Sequence, residues 1–184
     1  MIVGLNRGCG LWPDAVQAEH PELPPVRLLQ GPFQALSAYE ATLLDEVTAL
    51  LIPTDQDPGA REAGVVAVLD RALAAHEQQR TIYRSGFAWL DFYANALYGQ
   101  DSFLLLPPAG RLRMLELAES GRVGRLHKLK EWWRFGTLGH GVRFFELVKA
   151  DTFAAFYTAR QGWQVAGYHG PPQYRGFPDY ARCG

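Results

Sequence analysis

Cysteine is nearly absent: Cys9 and Cys183 are the only two, close to opposite ends of the chain. With no C-x-x-C, no C-x-x-C-H and no Cys/His cluster at zinc spacing, the sequence excludes a conventional zinc site and covalently attached c-type haem. The two thiols are read as unpaired, with a terminus-to-terminus disulfide as the alternative in an oxidising compartment. No apolar run approaches the ~20 residues that span a bilayer. The start, Met1-Ile2-Val3-Gly4-Leu5-Asn6-Arg7, has neither a twin-arginine pair nor an apolar h-region. On these residues alone the chain is expected to be soluble, unsignalled and cytoplasmic. Also missing are a P-loop, a G-x-S-x-G elbow, an H-E-x-x-H pair and any period-2 alternation of useful length.

What is present is apolar content, 48% of 184 residues, enough to bury one core. A formal charge of -1 argues against a dedicated nucleic-acid binder. The charge is uneven, however: residues 1–79 hold four Lys/Arg against eleven Asp/Glu, and the remainder fourteen against eight.

The hydrophobic period is helical. Residues 1–36 carry Pro13, Pro21, Pro24, Pro25 and Pro32, and read as an extended arm. Ser37-Ala38-Tyr39-Glu40 fits a capping box, and Leu43, Leu44, Val47, Leu50 and Leu51 then share one face up to Pro53. Beyond Pro53 to Gly59, Glu62 is placed near the start of a second helix carrying Val65, Val68, Leu69, Ala72 and Leu73. A third helix carries Ile82, Tyr83, Phe87, Leu90, Tyr93, Ala94 and Leu97, with Gly99 as its C-terminal glycine and Gly86 marking either a close helix approach or a tolerated cost of about 1 kcal/mol. Leu112, Met114, Leu115, Leu117 and Ala118 form a short helix closed by Gly121, Val123 to Phe135 another, and Val142 to Tyr157 the last. The fold class is all-α: a single helical domain, residues 37–161, of roughly five to six helices. From Gly162 to Gly184, Gly and Pro alternate with Trp163, Tyr168, Tyr174, Phe177 and Tyr180, which reads as an extended tail lying on some surface.

Candidate chemistry is sparse. Gly136-Thr137-Leu138-Gly139-His140-Gly141 follows a helical pattern rather than a strand, so it reads as an interhelix loop and not a dinucleotide cradle. Asp55-Gln56-Asp57-Pro58-Gly59 fails the calcium-loop pattern at its fifth and sixth positions, and turn formation accounts for both aspartates. Of five histidines, His140 is the catalytic candidate by default, with Arg134 or Arg143 beside it. No catalytic residue and no metal or cofactor ligand is assigned.

The stretch 122–135 interleaves bases with apolar residues. It reads as a phosphate- or lipid-binding face, as a solvated face over an inward Leu126, Leu129, Trp133 stripe, or as a protein interface. The enrichment of Trp and Arg at interface hot spots and the second aromatic cluster in the tail favour the interface. The interface candidates are Trp132, Trp133, Trp163, Tyr168, Pro171, Pro172, Tyr174 and Phe177.

The connector from Leu50 to Val66, Tyr83-Arg84-Ser85-Gly86, Phe144-Phe145-Glu146-Leu147, Phe156-Tyr157 and the ending from Gly162-Trp163 to Gly170-Pro171-Pro172 together resemble the gluconate 2-dehydrogenase subunit 3 family. The resemblance runs from about Ala41 to Tyr180. It implies a small, cofactor-free subunit that supports assembly, stability or export of a large FAD-dependent subunit of the glucose-methanol-choline type. A multihaem cytochrome c subunit would take the electrons, and the complex would be periplasmic and membrane-linked. Nothing catalytic in that family maps onto a residue of this chain.

Overall fold

A computed structural model of the chain describes residues 26–122, 125–135 and 139–168, without the side chains of Arg125 and Leu126. The expectations for residues 1–25, Gly136 to Leu138, Pro171, Pro172, Tyr174, Phe177, Cys9 and Cys183 fall outside these residues.

The capping box forms as spaced. Ser37 Oγ accepts the Glu40 backbone N–H at 3.2 Å, and Glu40 Oε2 accepts the Ser37 N–H at 2.8 Å. Helix α1 (Ala38–Leu51) buries Leu43, Leu44 and Val47, and its C-cap is Ile52, next to Pro53. The connector then folds back on itself, with Ala60 N–H donating to Ile52 O at 3.0 Å. Gly59 allows that approach, because a Cβ there would stand 2.7 Å from Ile52 O, Pro53 C and Thr54 N.

Glu62 does not begin a helix. Its Oε2 accepts the Thr54 hydroxyl at 2.6 Å and the Gly59 N–H at 2.9 Å, so it buckles the loop instead, and the Thr54 bond leads the interactions that hold its carboxyl below the usual range. Asp55 Oδ1 accepts the Asp57 N–H at 2.9 Å, an Asx turn.

Helix α2 (Val65–Ala75) starts after Gly64, and α3 (Glu77–Tyr98) ends at Gly99, which holds φ 66°. A 3-10 turn (Phe103–Leu105) leads to α4 (Pro108–Ser120), closed by Gly121 at φ 60°. Then come α5 (Arg125–Phe135), α6 (His140–Thr158) and α7 (Arg160–Val165). No strand occurs among the described residues, so the fold is all-α. The seventh helix occupies the start of what reads in sequence as an extended tail. Gly162 does not break it: a Cβ there would stand 2.1 Å from Phe156 O, so the glycine lets α7 pack onto the end of α6.

Helix α6 is the central element, packed against α1, α2, α3, α4 and α7. Its Phe144 meets Tyr83 and Phe87 of α3 edge to face, with ring centroids 5.7 and 5.5 Å apart. All three rings are buried, each stabilising the fold by about 2 kcal/mol or more. Two aspartates tie irregular segments to this core. Asp70 of α2 accepts the backbone N–H groups of Gln34, Ala35 and Leu36 at 2.7 to 3.0 Å. Asp91 of α3 accepts the Tyr39 hydroxyl at 2.8 Å and the Phe103 N–H at 2.9 Å.

Candidate partner-binding surface

Helix α5 has the expected helical period, and its phase is opposite to the one that the solvated-face reading requires. Its inward row is His127, Glu131 and Phe135, spaced i, i+4, i+8, and Glu131 is only 2% exposed. Leu129 and Trp133, inward in one of the three readings of this stretch, are 62% and 84% exposed, and Trp132 is 55% exposed. The inward row is polar because donors await it. Glu131 Oε2 accepts the Tyr93 hydroxyl at 2.7 Å, and Oε1 accepts the Gly139 backbone N–H at 3.2 Å. Burial and then the Glu131 carboxylate push the Tyr93 hydroxyl far above its ordinary value, so it remains a donor. Phe135 adds ring contacts with Phe92 and His140, at 5.6 and 5.3 Å between centroids.

An apolar ridge therefore points outward, with exposed Lys128, Lys130 and Arg134 around it. None of these three cations enters an ion pair among the described residues. The Arg134 guanidinium lies 5.5 Å from the centre of the Phe135 ring. Sequence reasoning picked out Trp132 and Trp133 but missed Glu131, whose partner Tyr93 lies 38 residues away. The i, i+4 row of His127, Glu131 and Phe135 was the signal available.

The other described candidates, Trp163 and Tyr168, lie together at the end of α7. Trp163 Nε1 donates to Tyr157 O at 2.8 Å, Tyr168 N–H donates to Trp163 O at 2.7 Å, and the two rings meet edge to face at 6.0 Å. Trp163 is thus half-buried by its own chain, while Tyr168, Tyr157, Phe153 and Val165 stay exposed. The Gln161 side-chain amide donates to Glu62 O at 3.0 Å, fixing α7 to the connector.

His140, the default catalytic candidate, is the first residue of α6 and half-buried. It lines a cavity of about 300 Å³ with Gln78, Thr81, Ile82, Ser85 and Arg143. This lining has no carboxylate to orient an imidazole, and the Ser85 hydroxyl donates to Thr81 O of its own helix. Arg143 shares the cavity; Arg134 is not among the residues that line it. The lining brings together two hydroxyls, one guanidinium and the His140 imidazole.

The sequence profile described as gluconate 2-dehydrogenase subunit 3 matches residues 38–170. No curated protein and no solved structure matches the chain. The matched span takes in all seven α-helices of the described residues, the connector and the α5 surface. The chain belongs to the gluconate 2-dehydrogenase subunit 3 family.

Proposed function

We propose that this chain is the non-catalytic accessory subunit of a membrane-linked, FAD-dependent sugar or gluconate dehydrogenase. In this reading it supports the assembly, stability or export of a large flavoprotein subunit of the glucose-methanol-choline type. The flavin and the substrate site belong to that large subunit, and haem c to a cytochrome subunit. Family membership points to a subunit of an oxidoreductase complex. The observation that carries the finer reading is the placing of Trp132 and Trp133 in solvent on a helix whose inward face is a buried glutamate. Two exposed tryptophans side by side suit a binding surface, since Trp is enriched among interface hot spots. In this reading the membrane link and the periplasmic location belong to the complex; no helix among the described residues is long and apolar enough to cross a membrane.

Co-expression with an FAD-dependent large subunit tests the reading. The yield of soluble holo-flavoprotein, and its oxidation of sugar with an artificial acceptor, should rise when this chain is present. Equal yield and activity without the chain would remove the accessory role. A flavin spectrum or sugar oxidation by the purified chain alone would remove its non-catalytic standing.

A further inference from the structure

We infer that the outward face of α5 docks into an apolar groove on the large flavoprotein subunit, and that this groove is rimmed by carboxylates. The inference rests on the accessory reading above and adds where the partner sits and what its surface must carry.

Three observations converge. Leu129, Trp132 and Trp133 stand at i, i+3 and i+4 on one side of a short helix, the spacing by which a helix fills a groove. Lys128 and Lys130 flank that ridge and Arg134 follows it, all exposed and without an ion pair among the described residues. The helix is not adrift, because Glu131 is clasped by Tyr93 and Gly139 from below, so the anchors are presented in one orientation and little entropy is lost on docking.

Charge decides the chemistry of the occupant. A ridge of apolar anchors between cations complements an apolar trough between anions. An anionic bilayer offers the same signs, but it would meet the whole molecule, whose formal charge is -1 and whose residues 1–79 are strongly acidic. A protein groove can match α5 alone. Three side chains cover well under the ~800 Å² that each partner of a standard interface buries. Helix α5 therefore supplies the anchors of a larger contact.

The test uses the full chain co-purified with a tagged FAD-dependent large subunit, with affinity measured by titration. Trp132→Ala/Trp133→Ala should weaken association by about 30-fold or more while the helical circular dichroism and melting temperature stay at wild-type values. Lys128→Glu/Lys130→Glu should slow association and flatten its dependence on salt. Wild-type chain that copurifies, with both double variants binding within about twofold of it, overturns the docking face and leaves the accessory role standing. Wild-type chain that never copurifies overturns the accessory role itself. Binding of wild-type chain, and not of the tryptophan variant, to phosphatidylglycerol vesicles or to a second copy of itself, with the flavoprotein affinity unchanged, assigns the face to another occupant and overturns the inference.

Discussion

A Cβ placed on Gly86 would lie 2.1 Å from Cγ of Phe144, so α3 and α6 meet backbone against ring. Gly86→Ala should gain about 1 kcal/mol of helix propensity and lose more to overpacking, because Phe144 is also boxed by Tyr83 and Phe87 and has nowhere to move. The expected net loss is about 2 kcal/mol in denaturant unfolding. A variant as stable as wild type would mean that the ring has room the packing denies it.

Asp70 holds the segment before α1 with both carboxylate oxygens: Oδ1 takes Ala35 and Leu36, and Oδ2 takes Gln34. Asp70→Ala leaves those donors without their acceptor and should cost about 3 kcal/mol. Asp70→Asn, which keeps one acceptor oxygen, should cost less. Amide hydrogen exchange checks the cause: the Gln34, Ala35 and Leu36 amides should lose protection in the alanine variant, and unchanged protection would sever the link.

These cases show what could be read in advance. The Ser37/Glu40 box, Gly99, Gly121 and the close approach at Gly86 were legible because each signal is local, or because glycine has few other reasons to sit inside a helix. Asp70 and Glu131 were not, since the three partners of Asp70 and the Tyr93 partner of Glu131 come from 34 or more residues away and no local pattern announces a buried carboxylate. The phase of α5 stayed open in sequence: hydrophobicity alone offers Leu129 and Trp133 an inward place, yet the donors on Tyr93 and Gly139 select Glu131 as the inward residue. Gly162 misled, because a packing glycine and a helix breaker look alike in sequence. Trp132 and Trp133, named in sequence as interface candidates, lie exposed on α5.

Thr152 of α6 is fully buried, and its hydroxyl has no hydrogen-bond partner among the described residues. Thr152→Val keeps the shape and removes the unsatisfied group. It should therefore stabilise the fold by about 1 kcal/mol. A destabilised variant would reveal a partner or a water on that hydroxyl.

Burial raises four described tyrosines, Tyr98 among them, and Tyr39, Tyr83 and Tyr93 also face carboxylates to which they donate. Burial is the first cause in each, with Asp91, Asp151 and Glu131 respectively adding to it, and it raises Tyr39 to about 12 and pushes Tyr83 and Tyr93 further above the ordinary value of 10. A folded value above the unfolded one means that this contribution is fully present below pH 10 and falls away as pH rises through the folded values. Denaturant midpoints should be flat in this respect up to about pH 10 and drop beyond it. Tyr39→Phe should remove part of the drop between pH 10 and about 12, and an unaltered slope would exclude Tyr39 as a contributor.

The tail offers the last test, and the contacts of α7 say where to cut. Trp163 and Tyr168 hold each other, and the Trp163 indole is bonded to Tyr157 O, so a cut before Tyr168 would disturb the end of α6. Removing residues 169–184 avoids this. Among the described residues the buried hydrophobic core ends at Phe156, and the shortened chain is expected to keep its melting temperature close to that of the full one. The removed stretch holds Pro171, Pro172, Tyr174 and Phe177, large side chains on a backbone that proline has already restricted, which lowers the entropy lost on docking. Each anchor that fills a partner pocket is worth about 2 kcal/mol, so association with the large flavoprotein subunit should weaken well beyond tenfold. If instead the melting temperature collapses while binding persists, the tail is a strap on its own helices and the partner reads α5 alone.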